Sequence, residues 1–244
     1  MKVEVTALYS CGMCIAPADW NPTGIPRPYR LYYILGGDAY YCYSGERTRL
    51  LEGHFYLFPS SLPFNVKQDK ENRLDHLYFD FMMTPATVSA KPLCCSLDAH
   101  PMMPEMLSLL KSGVKRYRYE KETELFPTVV SLLEAFLSLF LECVPNEESI
   151  GSDILSAVDY IERNYAEDIS VKKIADMVFL DEDYFIRKFK KALGITPYAY
   201  IRNLRLAVAK ELRYSGVSQK DAAASVGFKY ASSYCRAIKS SRQD

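Results

Sequence analysis

One stretch constrains the fold more than any other: Ile169 to Gly194, ISVKKIADMVFLDEDYFIRKFKKALG. Val171, Ile174, Ala175 and Val178 fall at i, i+3, i+4 and i+7, the apolar face of a short helix. Ser170 precedes it, where a hydroxyl can accept from an unpaired backbone N–H. Phe179-Leu180-Asp181 interrupts the pattern as a turn, and Asp181 can cap a second helix. In that helix Tyr184, Phe185 and Phe189 are expected to face inward. Asp183, Ile186, Arg187 and Lys190 are expected to face outward, with Lys188 and Lys191 at the margins. Gly194 stands where a left-handed C-cap stops a helix. Two helices, a turn of about three residues and a basic second helix make a helix-turn-helix plan for entering the major groove. A core hairpin with a solvated basic face would carry the same pattern.

A second, weaker copy follows in Val217 to Lys239, VSQKDAAASVGFKYASSYCRAIK. Ala175 and Ala223 match, Val178 and Val226 precede the two turns, Phe185 and Tyr234 repeat an aromatic, and Arg187 and Arg236 repeat a cation. Between the copies, Tyr198 to Tyr214 reads as one long helix with Ile201, Leu204, Ala207 or Val208, and Leu212 on one side. Such a connector can hold two reading helices roughly 34 Å apart, one turn of the duplex.

From about Asp153 to Lys239 the chain resembles the DNA-binding domain of AraC/XylS-family transcription regulators. The residues that carry the resemblance are YIERNYAEDIS (Tyr160 to Ser170), FIRKFKKALGITPYAYIRNLRLAVAKEL (Phe185 to Leu212), and VGF followed by YCRAIK. The resemblance implies that Asp183, Ile186 and Arg187 face bases from the first reading helix, and Ser232, Cys235 and Arg236 from the second. Lys188, Lys190, Lys191, Lys229 and Lys239 are expected near phosphates, where they give salt-dependent affinity. The chain departs from the family at Phe179, where Gly is usual, so the first turn is expected to do without a positive φ. Gln219 and Ala222 replace larger aliphatics, and Ile238 replaces a Phe. The sequence stops at Asp244, short of the family's closing helix, which is expected to weaken the second hairpin.

Net charge over the 244 residues is zero, which alone speaks against a nucleic-acid partner. The halves differ, however: from Gly151 onward 16 Lys and Arg stand against 12 Asp and Glu, and the remainder carries 14 against 18. That asymmetry suits a DNA-binding half joined to a half with another task. The N-terminus lacks a basic-then-apolar leader. The nearest thing to a membrane span, Val129 to Val144, is interrupted by Glu134, Ser138 and Glu142. The 7 Cys show no disulfide spacing and read as reduced thiols, so a cytoplasmic location is expected.

Residues 1–28 are rich in turn formers, Cys11-Gly12, Pro17, Asn21-Pro22, Gly24, Pro26 and Pro28, and are expected to be an irregular arm with one short strand, Val3 to Tyr9. Cys11 and Cys14 are spaced C-x-x-C, but structural zinc wants four ligands and no second pair is present. No metal or cofactor is therefore expected. From Tyr29 the runs YRLYYIL, DAYYCYS, TRLL, HFYLFP, FNVK and LDHLYFDFM alternate with turn formers, as in a sandwich or barrel. This part resembles the cupin-type sensor domain of the same family, in RPYRLYYILGGDAYYCYSGE, LLEGHFYLFPSSLPF and LYFDF. Metal-dependent cupin enzymes need clustered imidazoles. His54, His76 and His100 are not so spaced, and Phe64 stands where the family often has a His.

Strand parity puts Arg30, Tyr32 and Ile34 on one face, and His76, Tyr78 and Asp80 on another. With Trp20 as a lid, the set Trp20, Arg30, Tyr32, His76, Tyr78 and Asp80 suits a small polar effector; sugars are common effectors in the family. The same residues could equally fill the barrel, with Arg30 paired to Asp80. Helices are expected over 101–112 and 126–143, and Lys115 to Glu124 is expected to be a solvated connector. The second helix is apolar over most of its circumference, which calls for cover by a second copy of the chain.

The expectation is an α+β chain. Residues 1–100 form a cupin-like β-barrel with its arm, 101–149 dimerisation helices and a linker, and 150–244 an all-α double helix-turn-helix domain. Its expected function is sequence-specific transcription regulation in answer to a small, possibly sugar-like, ligand. Expected partners are double-stranded DNA, that effector and a second copy, with no membrane and no catalytic residue. A cupin-type enzyme and a protein-interaction module without DNA binding are the alternatives.

Overall fold

The computed structural model describes residues 2–20, 22, 28–43, 46–60, 64–87, 89, 91–144, 151–214, 216–228 and 234. Its first part is β-rich. Strands β1 (Glu4–Ile15), β2 (Tyr29–Gly36), β3 (Ala39–Tyr43), β4 (Glu46–Arg49), β5 (His54–Phe58), β6 (Val66–Gln68), β7 (Asp75–Thr84) and β8 (Leu93–Ser96) build two sheets. The larger has the order β1-β7-β2-β5-β8 and the smaller β4-β3-β6. Every described ladder is antiparallel.

The aromatic richness of both parities has a simple cause: both faces of the larger sheet are covered. One face carries Tyr32, Ile34, Tyr56 and Phe58 and meets Tyr41, Phe64, Val66 and Leu74. The other carries Tyr29, Leu31, Phe55, Leu57, Phe79 and Phe81. Helices α1 (Met103–Arg118) and α2 (Phe126–Cys143) lie on that face and share its core. The α1 helix outruns its expected end because Val114, one turn beyond Leu110, is still buried.

The first half of the N-terminal arm is a strand rather than an irregular segment. β1 is 12 residues long and pairs with β7 from Glu4↔Thr84 to Ile15↔Asp75, with register shifts at Val5/Ala7 and Leu8/Ser10. Gly12, read as a turn former, is a strand glycine instead: a Cβ there would come within 2.9 Å of the Tyr78 ring. Within β1, Cys11 is buried and Cys14 exposed, so the two thiols point to opposite sides and cannot clasp one metal.

The segment Thr123–Cys143 is long and apolar enough to cross a membrane, contrary to the expectation that its polar residues break it. In this fold α2 turns Val129, Leu133, Phe136, Leu137 and Phe140 into the sheet, and the Phe136 ring lies 4.5 Å from that of Phe55. Val130, Leu132, Leu139 and Leu141 remain half-buried.

The second part is all helix: α3 (Ser152–Asn164), α4 (Val171–Met177), α5 (Glu182–Leu193), α6 (Pro197–Tyr214) and α7 (Gln219–Ser225). Its core gathers Ile154, Val158, Ile161, Ile174, Phe185, Phe189, Leu204, Val208, Ala222 and Val226. Met82 of β7 belongs to this same core, with Ala7, Tyr9 and Ala86 packed against it.

Candidate nucleic-acid interface

The first hairpin is α4, a turn and α5. Ser170 Oγ accepts from the Lys173 N–H at 3.2 Å, and Asp181 Oδ1 accepts from the Tyr184 N–H at 3.1 Å. Both caps are those expected from the sequence. Gly194 ends α5 with φ 75°. Phe185 and Phe189 are fully buried with ring centroids 5.5 Å apart, and Phe189 rests edge-on against Tyr200 of α6 at 5.7 Å. With that side fixed, Asp183, Arg187, Lys190 and Lys191 stand exposed on the other.

Three placements differ from expectation. Tyr184 is 49% exposed, because a step of one residue turns it about 100° away from the Phe185 line. Ile186 is half-buried against the core, so it sits at the shoulder of the exposed face. The Lys188 ammonium is paired with the Asp153 carboxylate of α3 and ties the two helices together.

The turn keeps a positive φ although it has no glycine. Phe179 sits at φ 57° and is 95% exposed. The Leu180 N–H donates to the Ala175 carbonyl at 3.0 Å and the Phe179 N–H to Asp176 at 3.1 Å, a Schellman closure that demands a left-handed residue at position 179.

The second hairpin repeats this geometry. Ser218 Oγ accepts from the Asp221 N–H at 3.2 Å and starts α7. The Phe228 N–H donates to Ala223 at 3.0 Å and the Gly227 N–H to Ala224 at 3.1 Å. Gly227 has φ 83°, and a Cβ there would collide with the Ala166 carbonyl. Ala222 is fully buried, so the small side chain itself seats α7. The Arg205 guanidinium of α6 donates to the carbonyls of Tyr165 at 2.6 Å, Glu167 at 2.7 Å and Gly227 at 3.0 Å. One side chain thereby joins the loop before α4 to the turn after α7. Lys229, Ser232, Cys235, Arg236 and Lys239 lie outside the described residues.

The expected effector residues are brought together between the two sheets. The β2–β7 register sets Arg30 opposite Asp80, Tyr32 opposite Tyr78 and Ile34 opposite His76. Arg30 Nη2 donates to Asp80 Oδ2 at 2.9 Å, and its guanidinium lies 4.5 Å from the Phe64 ring centroid. His76 is 4.4 Å from the Tyr32 ring centroid and 6.1 Å from that of Trp20. Trp20 also meets Phe64 and is half-buried, as a lid would be. Burial, together with the Arg30 charge, lowers His76 to about 4 and keeps the ring neutral. Their side chains touch one another, with Arg30, Tyr32, His76 and Asp80 all buried. Among the described residues, no group of three or more His, Cys, Asp or Glu could hold a metal ion.

Sequence reasoning missed one cluster at the junction of the two parts. Glu162 of α3 is 7% exposed. Its carboxyl accepts from Tyr200 Oη at 2.6 Å, from Tyr29 Oη at 3.0 Å and from Ser60 Oγ. Burial raises Glu162 to about 7, against the pull of those three hydroxyls. Nearby, Asp159 Oδ1 accepts from Thr84 Oγ1 at 3.1 Å and the Ala86 N–H at 3.3 Å. The signal was present in the spacing: Ile154, Val158 and Glu162 follow one another at i+4, which puts a carboxylate on the apolar face of α3.

Comparison with known proteins agrees with this geometry. A family described as a helix-turn-helix domain matches residues 174–242. The chain is 24% identical to a lactose operon transcription activator of Staphylococcus xylosus, covering 82% of this chain and 75% of that protein. It is 29% identical to YbfI, an uncharacterized HTH-type transcriptional regulator of Bacillus subtilis, over 83% of this chain and 78% of that one. Its fold matches wild-type ToxT from Vibrio cholerae, solved with an unsaturated fatty acid bound, at a TM-score of 0.59 and 13% identity, covering 98% of this chain and 90% of that chain.

Proposed function

The chain belongs to the AraC-type helix-turn-helix transcription regulators, and on that premise we propose that it reads one specific duplex sequence through α5 and answers to a small effector held between its sheets. The observation that carries the reading is the exposed row Asp183, Arg187, Lys190 and Lys191, on a helix whose opposite side is locked by Phe185 and Phe189. Asp183 and Arg187, in the first turns of α5, meet base edges, and a bidentate Arg–guanine contact carries about 1–3 kcal/mol of discrimination. Lys190 and Lys191 lie nearer the backbone and supply the salt-dependent part of the affinity. The work is done in the cytoplasm, where the DNA is.

The effector enters between the sheets beneath Trp20, where Arg30, Tyr32, His76, Tyr78 and Asp80, packed against one another in this structure, part to become its polar and aromatic walls. The lactose-operon relative favours a sugar, and the fatty-acid-bound neighbour favours an aliphatic acid. Thermal shifts with the two ligand classes separate them. The half-buried residues of α2 pair with a second copy of the chain, which light scattering reads directly.

The test of DNA reading is fluorescence anisotropy with duplex from the region upstream of the chain's own operon, against scrambled duplex, at two salt concentrations. Specific binding that R187A abolishes is the expected result. Equal binding to both duplexes, or an R187A variant as tight as the parent, would remove α5 as the reader.

A further inference from the structure

We propose that Glu162 is the positioning residue that sets the reading helices against the β sheets, because its one carboxyl group is held at once by hydroxyls from both sides of the junction. Tyr29 reaches it from β2 and Ser60 from the turn after β5; Tyr200 reaches it from α6. Ser60 and Tyr200 also touch each other, at 3.0 Å, so the clasp is closed across the junction. Behind Tyr200 lies Phe189, the buried residue that orients α5. The chain of contact from the sheets to the reading helix is therefore Tyr29 or Ser60, Glu162, Tyr200, Phe189.

Other junction contacts are built differently. Asp159 and Arg163 pair with each other at 2.9 Å beside Thr84, with side chains 29% and 57% exposed, and such a rim pair contributes little. Met82 supplies packing without direction. Among the described residues of the junction, Glu162 alone combines burial with donors from three separate segments. Burying a carboxyl on the apolar face of α3 is costly unless its oxygens are hydrogen-bonded, and the three hydroxyls supply those bonds.

The clasp carries a proton linkage that packing alone does not have. The groups facing Glu162 are Tyr29, Ser60 and Tyr200, with Asp159 adding a like charge from α3 itself. In the closed junction Glu162 stands at about 7; opened to water it returns to its ordinary 4.5. Opening therefore releases a proton, so the closed form is favoured at low pH and loosens as pH rises. Between pH 6 and pH 8 the opening equilibrium is expected to rise about tenfold.

Only the DNA readout below rests on the function proposed above. Energy transfer between dyes placed at the exposed Lys67 and Lys172 of the full chain measures opening directly. The expected result is a rise in opening of about tenfold from pH 6 to pH 8 in the parent and none in E162Q. S60A and Y200F each remove a hydroxyl that stabilises the carboxylate, and are expected to move the bend of the profile to higher pH. A flat parent profile, a profile unchanged in E162Q, or a bend unmoved in both hydroxyl variants would overturn the clasp. Duplex anisotropy in the same buffers gives the second readout: parent affinity is expected to follow the transfer profile and E162Q affinity not to. Duplex binding that ignores a changing transfer signal would overturn the positioning role. Normal transfer profiles with no duplex binding in any variant would uphold the clasp and sink the DNA reading instead.

Discussion

Arg30 and Asp80 face each other across the β2–β7 ladder, with Nη2 2.9 Å from Oδ2, Nε 2.8 Å from Oδ1, and each side chain 7% exposed. A buried ion pair costs desolvation on both sides, so cutting one partner leaves a stranded charge. R30A and D80A are each expected to lose about 3–5 kcal/mol, while R30M combined with D80L stays within about 1–2 kcal/mol of the parent. Urea unfolding of the four proteins checks this. A double variant as weak as the singles would mean that the pair is needed for more than mutual neutralisation.

Phe179 pays with backbone strain for a turn that its exposed ring does nothing to support. Its φ of 57° is a glycine conformation, and at 95% exposure the ring has no packing to lose. F179G is expected to raise stability by about 1 kcal/mol, and F179V to lower it by a similar amount. Thermal unfolding of both variants decides; a glycine variant weaker than the parent would show that the ring has a partner.

The lysines of α5 are not equivalent. Lys190 and Lys191 are exposed, whereas Lys188 is tied to Asp153. Replacing Lys190 or Lys191 by Ala is expected to reduce the slope of log affinity against log salt by about 0.9 each. K188A should leave that slope unchanged and alter instead the protection of the α3–α5 contact in hydrogen exchange. A salt slope that falls equally in all three variants would contradict the assignment of Lys188.

Two buried titrations oppose each other. His76 is lowered from 6.5 to about 4 by burial and the Arg30 charge, so the unfolded chain binds a proton that the folded chain refuses. Its contribution falls as pH drops from 6.5 toward 4. Glu162 is raised from 4.5 to about 7 by burial, so its contribution falls as pH rises through that interval. Across the shared window the two slopes offset. E162Q removes one of them and is expected to lose about 1.4 kcal/mol more than the parent for each unit of acidification there. Urea unfolding in half-unit pH steps reads the difference; parallel curves would mean that Glu162 does not titrate where the structure places it.

The helical half was the more legible in the sequence because its signals are local. Ser170, Asp181 and Gly194 bracket their helices within a few residues, and the repeat of the turn supports the same alignment twice. Parity alone placed Arg30 with Tyr32 and His76 with Tyr78 and Asp80. What escaped depends on partners distant in the chain. β1 is a strand because β7 pairs with its whole length, so its Cys-Gly step reads as a turn only until Tyr78 is seen against Gly12. Phe179 takes a positive φ because the hydrogen bonds of the closure outweigh the preference of its own side chain. The spacing sets Glu162 on the apolar face of α3, but what covers it there, Tyr29 and Ser60, lies more than a hundred residues earlier in the chain.

Met82 is the feature with the widest consequence. A methionine lent by a β strand to the helical core means that the two parts are not interchangeable cassettes. A chimera cut at the linker would graft the DNA-reading half onto a new sensor with a missing plug, and its core would be incomplete by one side chain. Successful recombinants should be those whose breakpoints carry the end of β7 along with the helices, or whose new sensor offers an apolar residue of similar reach at the same place. Domain exchange among relatives would then leave its mark in the sensor, as a seam inherited with the reading half.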